Sequence, residues 1–219
     1  MIKKSFQKKS FLKEFGKFLC FLLPVFLIVF LFFNFGAFWE NAKYELSRIF
    51  PARTNIIGEA SVIKMFEDGF SREIDKVFKE DTLFIPKINV KSPILIPKTT
   101  SEKDFFNVLK EGVALYPQFS KPGEGEITII TGHSSPNLAG LGKYNTVFSL
   151  LNKLGKEDKI IIYFEEQKYI YKVISKNIFS PGEELSRFKK NKKEKLVLTT
   201  CWPIGTNFKR IGIEAELVK

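Results

Sequence analysis

Between Phe18 and Trp39 the chain runs for 22 residues, FLCFLLPVFLIVFLFFNFGAFW, without a charged side chain. About 20 such residues cross the hydrocarbon core of a bilayer as a helix. Residues 1–17, immediately before the run, hold six lysines against a single acid, Glu14, a net charge of +5. Positive charge collects on the cytoplasmic side of a spanning helix. The N-terminus is therefore expected inside and everything beyond Trp39 outside, with the indole at the interface. A cleavable signal peptide is the competing reading. Such peptides carry an apolar region of roughly 7–15 residues and a small-residue cleavage site, whereas this run is longer and ends in Phe38, Trp39 and Glu40. We read it as an uncleaved signal anchor, with one pass through the cell membrane.

The whole chain carries +11, so the 202 residues after the basic segment carry only +6. No aromatic-interleaved basic patch accompanies that charge, which argues against a nucleic-acid partner. One further basic run, RFKKNKKEK (187–195), reads as a solvated loop, with contact to an acidic surface, lipid head group or cell-wall polymer as its functional counterpart. The two cysteines should lie in different environments, Cys20 at the cytoplasmic edge of the apolar run and Cys201 far beyond it. No disulfide is expected between them. The exported part thus holds a lone thiol, a candidate reactive group.

The segments that follow from this are a cytoplasmic basic stretch (1–17), the transmembrane anchor (18–39), an extracytoplasmic stalk or appendage (40–80) and a terminal domain (81–219). In the stalk, NAKYELSRIF and SREIDKVFKE have helical texture, interrupted by Pro51 and Gly58. From Thr82 onward short β-type runs alternate with turn residues: TLFIPKINV, SPILI, GEITIITG, KIIIYF, KYIYKVISKNIF, KLVLTTC and KRIGIEAEL. YFEEQKYIY predicts a hairpin turning at Glu165–Lys168. Helical patterns intervene near SEKDFFNVLKEGVALY and YNTVFSLLNKL, the second with Val147, Leu150, Leu151 and Leu154 at helical spacing. Many short strands with a few helices predict a mainly β fold, a closed or nearly closed barrel.

Within LVLTTCWPIGTNFKR (196–210) a strand ends at Cys201, turns through Pro203 and Gly205, and resumes at Arg210. If Cys201 faces Arg210 across an antiparallel pair, Leu198 faces Ile213, Leu196 faces Ala215 and Thr200 faces Ile211. The other face then pairs Val197 with Glu214 and Thr199 with Gly212. One face is apolar and the other mixed, as a sheet with one core side requires. Opposed residues have Cβ atoms about 4.5–5.5 Å apart, so thiol and guanidinium would be neighbours. In EITIITGHSSPN, the only histidine, His133, also follows a strand exit. If that strand lies parallel and adjacent to the one ending at Cys201, imidazole, thiol and guanidinium meet at one end of the sheet. Residues 134–195 are long enough for the crossover that parallel neighbours need.

Those groups suit acyl transfer through a thioester. A thiolate is a strong nucleophile that nearby cations stabilise. An imidazole passes a proton to a leaving amine and takes one from an incoming amine. A guanidinium keeps its charge at any working pH and stabilises an oxyanion. Each group also has a non-catalytic reading: a buried free cysteine, a satisfied turn histidine, a surface arginine at a strand start. Geometry from sequence leaves both readings open.

LVLTTC resembles the TLxTC motif of the sortases, membrane-anchored cysteine transpeptidases of bacterial surfaces, with Val197 where the first threonine usually stands. TGHSS resembles that family's histidine segment and KRIGIEAEL its final strand. LFIPKINVKSPIL resembles the opening strands, and EGVALYPQFSKPGEGEITIITGH the approach to the histidine. The resemblance covers roughly residues 82–219, and TTCWPIG looks nearer its class D or E members. It implies an eight-stranded sortase barrel behind one transmembrane helix, with Cys201, His133 and Arg210 catalytic. It implies that Thr200 helps to bind substrate or to stabilise the oxyanion, and that SPGEELSRFKKNKKEK flanks the peptide groove. The implied substrate is a protein bearing an LPxTG-type C-terminal sorting signal, cleaved between Thr and Gly. The implied acceptor is an amine on a cell-wall precursor or a pilin lysine. No cofactor or metal is expected, since Glu165 and Glu166 alone make no calcium site. The other readings are a hydrolytic thiol peptidase, another exported cysteine acyltransferase such as an L,D-transpeptidase (whose SHGC-type motif is absent), and a non-enzymatic surface-binding module.

Overall fold

The computed structural model describes residues 2–49, 81–135, 142–188 and 194–218. The chain forms two compact units, Met1–Phe35 and Gly36–Lys219. Helix α1 (Ile2–Ile49) fills the first unit and enters the second, with Pro24 inside it. From Lys13 onward it is long and apolar enough to cross a membrane, with a mean hydropathy of 2.7 over its most apolar stretch. Successive residues Phe18, Leu19, Phe21, Leu22 and Leu23 are all exposed, so the apolar surface goes round the helix. A helix that is apolar on every side, when not buried in protein, suits a bilayer.

The helical texture expected at NAKYELSRIF is the last part of α1, which runs on to Ile49. In the second unit these last turns pack on the barrel. Asn41 Nδ2 donates to the Ser149 carbonyl at 3.2 Å, Glu45 pairs with Lys153, and Tyr44 packs against the core. The expected helix at SREIDKVFKE lies outside the described residues.

Eight strands follow: β1 (Thr82–Ile85), β2 (Val90–Leu95), β3 (Val113–Leu115), β4 (Ile127–Thr131), β5 (Lys159–Phe164), β6 (Gln167–Phe179), β7 (Lys195–Trp202) and β8 (Lys209–Leu217). They close into a barrel in the order β1-β2-β3-β4-β7-β8-β6-β5. Two neighbouring pairs are parallel, β2–β3 and β4–β7. The first is bridged by helix α2 (Glu102–Glu111) and the second by residues 132–194. A parallel pair cannot be closed by a tight turn.

Local chemistry explains most of these boundaries. The Ser101 side chain caps α2 by accepting from the Asp104 N–H at 3.3 Å, and Glu102 and Asp104 suit the positive end of its dipole. Gly112 ends the helix where the chain passes β2 closely; a Cβ there would lie 2.5 Å from the Pro93 carbonyl oxygen. The β5–β6 hairpin turns tightly on Glu165 and Glu166, with φ of 48° and 63°, so Gln167 and Lys168 already belong to β6. Two-residue hairpin turns favour positive φ and usually use Asn or Gly. Here Asp81 Oδ1 accepts from the Glu165 N–H at 2.8 Å, and the Glu165 carboxylate pairs with Lys121.

Two helical expectations change. Val113–Leu115, inside the first helical pattern, is β3. Most of YNTVFSLLNKL is turns, with one 3₁₀ turn at Leu151–Lys153, although Leu150, Leu151 and Leu154 are buried as their spacing suggested. The barrel interior is one apolar cluster that includes Leu83, Ile85, Ile130, Ile162 and Leu198.

Leu198 is fully buried, and truncating it leaves a cavity its neighbours cannot fill. Leu198→Ala should cost about 2–5 kcal/mol in denaturant unfolding followed by circular dichroism. Phe208→Ala, at a residue 73% exposed, should stay within about 0.5 kcal/mol of the parent.

Candidate active site

Strands β4 and β7 lie side by side and parallel, with Ile130 beside Leu198 and Thr131 beside Thr199. The register persists past the end of β4. The Gly132 N–H donates to the Thr199 carbonyl at 3.2 Å, and Thr200 Oγ1 donates to the Gly132 carbonyl at 2.6 Å. His133 and Cys201 therefore leave two adjacent strands at the same end. On the other side β7 pairs antiparallel with β8 in the register expected from the sequence: Leu196 with Ala215, Leu198 with Ile213, Thr200 with Ile211, and Cys201 with Arg210. One end of one three-strand segment thus carries all three expected groups.

The face that holds Cys201 departs from the expectation of one core side. Val197 and Thr199, which alternate with the interior residues, are also buried. A second apolar cluster covers them, built from Ile127 and Ile129 of β4, Val197, Phe179 of β6, and Phe188 of helix α3 (Glu183–Phe188). Tyr116 and Phe119 pack at its edge. Gly212, opposite Thr199, lets the Phe179 ring lie close; a Cβ there would sit 2.4 Å from it. The carboxylate on this face, Glu214, is answered by Lys195 at 3.3 Å and by Asn177 Nδ2 at 2.9 Å. Cys201 and Arg210 stand at the open end of this covered face, each half-buried.

Arg210 Nη1 donates to the carbonyls of Lys209 at 3.1 Å and Asn207 at 3.3 Å, so the guanidinium is held by its own loop. Five donors on a guanidinium leave capacity beyond these two contacts. His133 is fixed through its backbone, its carbonyl accepting from the Phe148 N–H at 2.9 Å. Gly132 lets the chain pass over Phe148, whose ring a Cβ would approach to 2.7 Å. The Phe106 ring lies 6.4 Å from the imidazole, tilted by 35°. Burial holds the His133 pKa below the ordinary 6.5.

Thr200 points inward. It is 2% exposed, and its hydroxyl ties β7 to the segment that carries His133. Phe106 and the second cluster were not expected from sequence: Phe105 and Phe106 are adjacent in an amphipathic stretch, and nothing in the pattern marks which one meets the histidine. Among the described residues no group of three His, Cys, Asp or Glu side chains could hold a metal.

Comparison with known proteins decides the family. The model described as "Sortase domain" matches residues 83–218. The chain belongs to the sortase family. Sortase D of Bacillus subtilis (strain 168) is 28% identical over 123 residues, which is 56% of this chain and 54% of that protein. Sortase A of Bacillus anthracis is 27% identical over 145 residues, 66% of this chain and 62% of that one. The chain therefore spans between half and two thirds of the length of these curated relatives. Among solved structures, sortase C-1 from Actinomyces oris superposes with a TM-score of 0.53 at 28% identity, covering 64% of this chain and 73% of that one. The closed eight-stranded barrel is the sortase fold.

Because burial disfavours the imidazolium, folded His133 releases its proton below 6.5. Between the folded value and 6.5 the unfolded chain binds more protons. Stability therefore rises with pH across that window and is lost as pH falls through it. As this sortase has a single histidine, one imidazole resonance reports the titration. Its midpoint should lie below 6.5 in the folded protein and move up to about 6.5 in urea.

Proposed function

We propose that this protein is a membrane-anchored sortase transpeptidase that joins a protein bearing an LPxTG-type C-terminal sorting signal to an amine. The catalytic barrel lies on the extracytoplasmic side and the lysine-rich N-terminus in the cytoplasm. The observation that carries this reading is the β4–β7–β8 register, with His133 and Cys201 at the same strand end and Arg210 opposite Cys201.

In the proposed reaction His133 takes the proton of the Cys201 thiol, and the thiolate Sγ attacks the carbonyl carbon of the signal's threonine. The carbonyl π electrons move to oxygen, and the Arg210 guanidinium stabilises that oxyanion. Collapse breaks the Thr–Gly bond as His133 gives its proton to the departing glycine nitrogen. The acyl group is then a thioester on Cys201. An amine of a cell-wall precursor or a pilin lysine attacks the thioester carbon, its proton passes to the now neutral His133, and the thiolate leaves. Thr200 contributes from beneath by fixing the strand next to the nucleophile. Water in place of the amine turns the same residues into a hydrolytic thiol peptidase, and the acceptor supplied separates the two outcomes.

Full-length protein in detergent, incubated with LPxTG-type peptides, should gain the mass of the acylated threonine fragment, and an added amine should convert it to an amine-capped product. Cys201→Ala should abolish both. Arg210→Ala should lower kcat by about 10²–10³, as for loss of an oxyanion donor. Persistence of product in Cys201→Ala refutes the thioester. A product that carries only water despite excess amine supports the peptidase reading.

A further inference from the structure

We infer that Phe106 is a positioning residue for His133, setting the plane of the imidazole and keeping water off one of its faces. Phe106 belongs to α2, which contributes no buried residue to the fold, and it is 41% exposed. A large aromatic on such a helix adds little to stability. What it does touch is the site: its ring lies 6.4 Å from the His133 ring at a 35° tilt, within the centroid separation of about 4.5–7 Å at which aromatic pairs attract.

The helix is built to hold it there. Adjacent residues in a helix point about 100° apart, and Phe105 packs instead against Tyr116, with ring centroids 4.8 Å apart and planes tilted by 45°. Ser101 fixes the N-terminal end by its cap. Near the C-terminal end Gly142, downstream of His133, passes so close that a Cβ would stand 2.9 Å from the Lys110 carbonyl oxygen. With the helix held at Phe105, at its cap and near Lys110, Phe106 is presented to the imidazole.

His133 needs such a partner. Its backbone is fixed by Phe148, yet among the described residues its imidazole makes no hydrogen bond. An imidazole free to turn about its χ angles loses alignment, and proton transfer demands a held geometry. The Phe106 ring supplies the orientation, and the desolvation it brings agrees with the lowered His133 pKa. Only the kinetic consequence rests on the transpeptidase reading.

The test uses full-length protein in detergent micelles carrying Phe106→Ala, Phe106→Tyr or Phe105→Ala. The first readout is the NMR titration of the single imidazole, and the second is turnover of a fluorogenic LPxTG-type peptide. Phe106→Ala should raise the titration midpoint toward 6.5 and lower kcat about tenfold, a part of the 10²–10⁴ typical of a placed acid–base group, with KM changed less than about twofold. Phe106→Tyr should restore both, and Phe105→Ala, which removes one of the three holds on the helix, should move the midpoint less than Phe106→Ala does. Should Phe106→Ala not fold, Phe106→Leu is read in its place, with a smaller shift of the same sign. An unmoved midpoint overturns the inference, as does an effect confined to KM, which would make Phe106 a substrate contact. If the parent turns over no peptide, the functional reading fails while the titration still decides the role of Phe106.

Discussion

A parallel strand pair holds this site together, and a threonine hydroxyl locks it. Strands β4 and β7 are distant in sequence, and their register decides whether His133 and Cys201 emerge level or apart. The bond from Thr200 Oγ1 to the Gly132 carbonyl, with the Gly132 N–H on the Thr199 carbonyl, carries that register past the last ladder pair. Since a strand alternates faces, a slip of one residue would turn the thiol to the interior and bring Thr200 to the surface. The cost of that slip is large because both faces of β7 are buried. Leu196, Leu198 and Thr200 fill the barrel, while Val197 and Thr199 lie under Phe179 and Phe188.

That double burial also explains where the strand becomes accessible. Along β7 the residues from Leu196 to Thr200 are buried, and exposure begins at Cys201 and Trp202. The strand thus delivers its thiol at the point where packing stops. Arg210 stands at the corresponding point of β8, opposite Phe179 of β6 on its other side. A rigid sheet positions functional side chains more closely than a loop does. Here the sheet fixes the Cα positions, loop carbonyls hold the guanidinium, and the Phe106 ring lies 6.4 Å from the imidazole.

Legibility in the sequence follows the range of the interaction that decides each feature. The β7–β8 register was readable because alternation of apolar residues admits one pairing that keeps Leu196, Leu198, Ala215 and Ile213 together. Seven of the strand runs were visible for the same reason. The eighth, β3, is three residues long and follows directly on α2, so neither period of two nor composition marks it. At Tyr144–Leu154 helical spacing reported burial correctly and conformation wrongly, since a chain of turns also brings every third or fourth residue to one side. The second cluster was invisible because it is assembled from β4, β6, β7 and α3, and no local pattern records which aromatic will cover which strand. Phe106 belongs to the same class of feature, a pairing fixed only in three dimensions.

Charge is divided between two kinds of group at the proposed site. Arg210 supplies a guanidinium whose hydrogen bonds, among the described residues, go to the carbonyls of Asn207 and Lys209. His133 is the group able to gain and lose a proton near neutrality, and its burial favours the neutral form. A neutral imidazole is ready to accept a proton, from the thiol at the start of a cycle or from the incoming amine at its end. In the proposed reaction the imidazolium so formed is disfavoured by desolvation, which favours passing its proton on to the leaving nitrogen. Separating the two groups in the proposed reaction lets Arg210 stabilise the oxyanion while His133 alternates as base and acid. The arrangement needs both groups at one strand end, and the register of β4, β7 and β8 is what brings them there.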